Sequence, residues 1–226
     1  MLNQIPIVCL VVGLILSAGC GTKEGYALKK LITTREIDAQ LFQAAAGGNA
    51  KEAQDLLRAG ANVNATEYEG ETPLMYAAAQ GRAEMVELLI QQGANIHARS
   101  VNDQTALGRA AQFGHAGTVE KLLQNGARVE EHMDQGATPL IVAADVSTAQ
   151  VLISHQAQVN AQNDFGLTAL MNAAAEGKVD VVKLLIESGA DPALKDHSGK
   201  TARQWAAERN HPEVVALLKA PSRNSN

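Results

Sequence analysis

The chain has 226 residues and a mass of 23.8 kDa; 46% of its residues are hydrophobic but only 3% are aromatic. That apolar content excludes wholesale disorder, and 39 alanines against seven aromatic residues make any core one of small side chains. A formal charge of −5 excludes the basic footprint of a nucleic-acid binder, and two cysteines, both within the first twenty residues, exclude a disulfide scaffold.

Residues 1–19 contain no Asp, Glu, Lys or Arg, and the stretch from Ile5 to Leu16 is apolar, interrupted by Pro6 and Gly13. It is shorter than the roughly 20 residues that cross a bilayer and has the length of the apolar centre of a secretory signal. The stretch ends Leu16-Ser17-Ala18-Gly19-Cys20, followed by Gly21. Small residues ahead of a cysteine resemble the lipobox of bacterial lipoprotein signals, which implies removal of residues 1–19 and acylation of Cys20. Ser17 stands where leucine is commonest in that motif, and no basic residue precedes the apolar run. An ordinary cleaved secretion signal and an uncleaved anchor are the alternatives. Gly21 follows the cysteine where aspartate would resemble an inner-membrane retention signal. The address implied is therefore the outer membrane, with the body facing the periplasm and touching the membrane only through its N-terminal lipid.

Residues 20–37 read as a tether. Thr33 and Glu36 fit a capping box and predict a helix start nearby, while Tyr26 to Ile32 is either a short amphipathic segment or a linker packed on that helix.

Beyond the tether the chain repeats. Alanine pairs begin at Ala44, Ala77, Ala110, Ala143, Ala173 and Ala206, spaced by 33 residues except for 30 between Ala143 and Ala173. Five residues ahead of each stand Ala39, Thr72, Thr105, Thr138, Thr168 and Thr201, opening phrases such as Thr72-Pro73-Leu74 and Thr138-Pro139-Leu140. Gly60-Ala61, Gly93-Ala94, Gly126-Ala127 and Gly189-Ala190 close most units. A fixed period of this size marks a stacked repeat. The pattern resembles the ankyrin repeat over residues 35–220, in units near 35–67, 68–100, 101–133, 134–163, 164–196 and 197–220, with 221–226 as a tail. The resemblance implies an all-α repeat fold (an α-solenoid): a helix–turn–helix stack with β-hairpin fingers between units.

The residues fit that fold on physical grounds. Threonine before proline caps a helix whose first position tolerates proline. The alanine pair suits close approach of antiparallel helices. Val86-Leu88-Leu89-Ile90, Val119-Leu122-Leu123 and Val182-Leu184-Leu185-Ile186 form the buried stripe of the second helix. Gly60, Gly93, Gly126 and Gly189 suit the left-handed residue that ends it.

Departures from the pattern are informative. In the first unit Ala39 and Gln40 stand where threonine and proline would be, and Glu52 and Gln54 there, like Arg203 and Lys219 in the last, place polar groups where nothing stacks beyond. The fourth unit is three residues short, lacks the turn glycine and has Gln156-Ala157 in place of Gly-Ala, which predicts shorter helices or a tighter turn. It is either a degenerate spare unit or a specific kink or binding feature. The histidine usual after Thr-Pro-Leu in the family is replaced by Phe42, Met75, Gly108, Ile141, Met171 and Gln204, leaving the stack to apolar packing.

No catalytic constellation is present. The six histidines have no metal-ligand spacing, no nucleophile elbow occurs, and Gly47-Gly48-Asn49-Ala50-Lys51 lacks phosphate-loop spacing. No cofactor, metal or nucleic acid is expected, and the body is expected to be monomeric. The resemblance implies a non-catalytic scaffold that binds another protein through fingertips and the exposed face of the first helices. Those slots hold Tyr68, Glu69, Glu71, Tyr76 and Gln80 in the second unit, and Val101, Asn102, Arg109 and Phe113 in the third. The fourth supplies Asp134, Gln135 and Asp145, and the fifth Phe165, Asn172 and Glu176. An inhibitory, immunity or stress-protection role toward an envelope protein fits this reading. A passive structural lipoprotein and an accessory subunit of a periplasmic enzyme are the competing classes.

Overall fold

A computed structural model describes residues 23–67 and 69–219 of the chain, with side chains from Arg35 onward. The expected signal at 1–19, Cys20, Tyr68 and the tail at 221–226 lie outside the described residues. Eleven α-helices occur in the described part: α1 (Lys23–Gly47), α2 (Ala50–Arg58), α3 (Pro73–Ala79), α4 (Ala83–Gln91), α5 (Ala106–Gln112), α6 (Ala116–Gln124), α7 (Val146–Ser154), α8 (Ala169–Ala175), α9 (Val179–Glu187), α10 (Ala202–Glu208) and α11 (Pro212–Leu217).

The helices stack in two rows. One row runs α1, α3, α5 and then α8, α10; the other runs α2, α4, α6, α7, α9, α11. Each successive helix pair is one layer, and the fourth layer consists of α7 and the turns before it. Thr72, Thr105 and Thr168 cap α3, α5 and α8, each hydroxyl oxygen accepting from the N–H three residues on. The alanine pairs of these helices are buried between the rows. Met85, Leu89, Leu122, Leu152, Leu185 and Val214 fill the space from the second row. A fully buried leucine contributes about 1.5–3 kcal/mol, but the stripe of each second helix meets the neighbouring layers, so that contribution exists only in the stack. Glu52, Gln54, Arg203 and Lys219 are exposed at the two ends.

Four features differ from the sequence-based expectation. First, α1 begins at Lys23, so the segment expected as a tether is helical and the helix does not start near Thr33. Its sequence from Tyr26 to Ala46 has no glycine or proline to stop it. Second, the fingers are tight turns, not β-hairpins, and no strand occurs among the described residues. Each finger closes on itself within five residues, as through Ser100 N–H to Gln104 C=O and Asp103 N–H to Ser100 C=O, and no ladder extends beyond the turn. Third, the first helix of the fourth layer is lost altogether. Thr138 still accepts from Ile141 N–H, but the missing residues bring Asp145, the cap of α7, before a second helical turn can form. The carbonyls this leaves open are bound by the next layer, Ile141 C=O by Asn172 Nδ2 at 2.8 Å and Ala143 C=O by Lys178 Nζ at 3.3 Å.

Fourth, the stack does not rest on apolar packing alone. Residues at the start of α4, α6 and α11 reach back to a carbonyl of the preceding layer: Arg82 to Ala46, His115 to Ala79 and His211 to Ala175, at 3.0–3.1 Å. The turn glycines make room for them; a side chain on Gly81, at φ 67°, would overlap the His115 ring. Apolar side chains do take over the missing histidine slot. Phe42, Met75, Ile141 and Met171 are buried there, and at Gly108 the vacant space is filled by Met133 from the finger that follows α6.

Candidate functional site: the face of the first helices and fingers

The fingers of the second and third layers meet the first-row helices in a charged cluster. Glu71 and Arg109 form an ion pair between α3's finger and α5, and the Arg109 guanidinium lies 5.8 Å from the centre of the Phe113 ring. The Tyr76 hydroxyl donates to Glu67 at 2.9 Å, and its ring meets Phe42 edge-on with centroids 5.3 Å apart. That hydrogen bond is the main reason the phenol is pushed above its ordinary value; burial and the charges of Glu67 and Glu71 add to it, and Arg109 opposes them. Glu69, with φ 83°, accepts from Val101 N–H through its carbonyl and from Asn102 Nδ2 through its carboxylate.

The expected contact residues fall into two groups. Exposed ones are Glu69, Gln80, Asn102, Asp134, Gln135, Asp145, Glu176, Val101 (78%), Phe113 (52%) and Phe165 (52%). Glu71, Tyr76, Arg109 and Asn172 are half-buried and tied into neighbouring layers. Asp145 is occupied as the cap of α7, accepting from Thr148 N–H at 2.8 Å, and Glu176 pairs with Lys178 at 2.5 Å.

Where the first helix of the fourth layer is missing, the face opens into a notch of about 240 Å³. Met133, Ile141, Val142 and Leu167 are its apolar lining, and the carboxamides of Gln104, Gln112, Gln135, Asn163 and Asn172 surround it; Asp134 is its one ionisable group. Gln112 and Gln135 carry no side-chain hydrogen bond to a described residue, and Gln135 holds a left-handed φ of 56°.

Sequence reasoning passed over two sets of residues. The reach-back donors Arg82, His115, Lys178 and His211 were visible only as the residue after each turn glycine or, at His211, after Asn210. Gln112 and Met133 line the notch from slots that a repeat pattern assigns to ordinary surface and core. Asp196 gathers the last finger, accepting from the N–H groups of Ser198 and Lys200, the Ser198 hydroxyl and the Trp205 indole. Burial alone pushes that carboxyl up, but these donors outweigh it and hold it below the ordinary carboxylate value.

A stack of helix pairs with an exposed row of first helices and fingers defines a helical repeat protein of the solenoid class. The sequence profile "Ankyrin repeats (3 copies)" matches residues 18–100, 41–133, 98–163 and 140–226, and the chain belongs to the ankyrin repeat family. Repeats of this family bind other proteins. Among curated relatives, the human ankyrin repeat domain-containing protein 63 is 34% identical over 92 residues, covering 38% of this chain and 24% of that protein. The ankyrin repeat protein YahD of Escherichia coli (strain K12) is 36% identical over 89 residues, covering 37% and 44%. The chain thus spans less than half the length of each of these relatives. Among solved structures, it is similar to a chain in the complex of the predatory endopeptidase Bd0816 from Bdellovibrio bacteriovorus with the immunity protein Bd3460. There the identity is 30%, the TM-score 0.71, and the match covers 79% of this chain and 95% of that one.

Proposed function

We propose that the chain is a non-catalytic scaffold, anchored through acylated Cys20 to the outer membrane, that binds an envelope endopeptidase from the periplasmic side as an immunity protein. The observation that carries this is the similarity, over nearly the whole length of the other chain, to a member of an endopeptidase–immunity protein complex. The lipobox-like Leu16-Ser17-Ala18-Gly19-Cys20 supports the anchor. A stack of short, capped helices presents a pre-organised surface, so little ordering cost is incurred on binding. The exposed aromatics Phe113 and Phe165 are set among polar groups as interface anchors are.

The test is a titration of purified envelope endopeptidases of the same cell with the body, residues 21–226. Stoichiometric inhibition of one of them and a stable one-to-one complex are expected. Full activity of every one of them at saturating body would remove the immunity role. The anchor is tested separately: Cys20→Ser is expected to move the protein from the membrane to the soluble fraction.

A further inference from the structure

We infer that the notch in the fourth layer receives an extended, uncharged main-chain segment of the partner and seats one apolar side chain of leucine size. This names the binding mode at the face proposed above and rests on that proposal only for the identity of the partner.

Size sets the first limit. A space of about 240 Å³ is below the roughly 300–1,000 Å³ of a small-molecule pocket, yet its lining of Met133, Ile141, Val142 and Leu167 is apolar. One inserted side chain fits where a cofactor does not.

Polarity sets the second. With Asp134 its one ionisable group, the notch has little field to attract a charged ligand. The free carboxamides of Gln112 and Gln135 each offer both a donor and an acceptor, which is what a peptide group presents in return.

Main-chain pairing along the fingers supplies an independent observation. Val101 N–H bonds Glu69 C=O, Asp164 N–H bonds Gln135 C=O and His197 N–H bonds Phe165 C=O, linking each finger to the next. At the junction of the third and fourth layers the corresponding groups, Asp134 N–H and Asn102 C=O, are not joined to each other among the described residues. A second ladder is broken between the same two connecting loops, those that follow α4 and α6. Asn64, Glu130 and Asn160 each accept the N–H of the next layer's loop. His97 stands in the missing place, turned toward the buried Glu131 carboxylate at 3.7 Å. The lost helix, the notch and the broken finger rung therefore fall together: Asp134 N–H has no partner among the described residues, and Asn102 C=O takes only the Gln104 carboxamide at 3.5 Å. A strand of partner laid across them gains main-chain hydrogen bonds for affinity and a side-chain pocket for specificity. Phe113 and Phe165 are next to or two residues from Gln112, Asn163 and Leu167 of the lining, so they flank the inserted segment.

The probe is N-acetyl-leucine N-methylamide, one neutral peptide unit bearing an apolar side chain, titrated into isotope-labelled body and followed by NMR. Saturable shifts are expected at the carboxamides of Gln112 and Gln135 and at the amides of Ala137 and Val142, unchanged when salt is raised. Val142→Trp fills the notch and is expected to weaken binding about tenfold, or 1.4 kcal/mol. Gln112→Ala, at the exposed end of α5, leaves the fold intact and weakens it less. Shifts scattered over other layers, none at the notch, or equal affinity for the arginine analogue overturn the inference. If no endopeptidase binds the body while the probe saturates the notch, the proposed partner is wrong and the notch stands. If the endopeptidase binds Val142→Trp as well as wild type, the notch inference falls and the partner stands.

Discussion

Replacing Asp196 by alanine removes one carboxylate on which the last finger and α10 converge. Asp196 is 7% exposed and accepts from Lys200 N–H at 2.8 Å, Ser198 N–H at 2.9 Å, Ser198 Oγ at 2.7 Å and Trp205 Nε1 at 2.9 Å. A hydrogen bond to a charged group contributes about 1.5–3 kcal/mol. The four share one acceptor and do not add, and Ser198 and Lys200 can turn to water once the carboxylate is gone. The indole N–H of the half-buried Trp205 is the least able to do so. The expected loss is about 3 kcal/mol. In a nearest-neighbour stack it falls on α10 and α11, not on the whole chain. Trp205 is the one tryptophan of the sequence, so its fluorescence reports this end alone. In urea, Asp196→Ala is expected to separate the fluorescence transition from the circular dichroism transition and move it to lower denaturant. The charge also sets a pH dependence. The folded-state pKa lies below the unfolded one, so the stabilisation is present at neutral pH. It is lost as pH falls through the ordinary carboxylate range and then through the folded value. The stability gap between wild type and Asp196→Asn should therefore close in acid. Coincident transitions with unchanged midpoints, or a gap that persists in acid, would refute this account of the last finger.

Gln156 ends α7 at φ 68°, where a non-glycine residue costs about 1–2 kcal/mol. Gln156→Gly is expected to stabilise the protein by about 1 kcal/mol, a rise of about 2–4 °C in melting temperature by calorimetry. Gly108→Ala places a methyl group against the Met133 thioether and is expected to cost about 1–3 kcal/mol through overpacking. Met133→Ala should reduce that cost, which a double-mutant cycle in urea measures directly. The triple change Tyr68/Phe113/Phe165 to alanine is expected to weaken the endopeptidase complex with little effect on melting temperature; an unchanged affinity by calorimetric titration would remove these rings as anchors.

The repeat spacing made most of the helical stack legible, because threonine caps, alanine pairs and leucine stripes each act within one unit. Thr72, Thr105 and Thr168 cap their helices as their position before each helix implies. What escaped depends on relations between layers. Met133 fills the space at Gly108, and His115 reaches Ala79, across 25 and 36 positions; neither residue's own phrase reveals its partner. The fourth layer was legible as short but not as lacking its first helix, because the outcome depends on Asn172 and Lys178 satisfying the carbonyls it exposes. Finger strands failed for a local reason: the main-chain bonds of each finger close within five residues, so no ladder extends beyond the turn. The notch is the consequence of an absence, and Gln112 and Gln135 gain meaning only once the missing helix has uncovered them.

The central claim, that a partner is held on the face of the first helices and fingers at the fourth-layer notch, is tested most directly by site-specific photo-crosslinking in the intact cell. A photoreactive residue at Gln112 is compared with one at Lys183, exposed on α9 in the other helix row. Crosslinking of one envelope endopeptidase from position 112 and none from position 183 is the predicted result. Equal capture from both positions, or capture from position 183 alone, would contradict it.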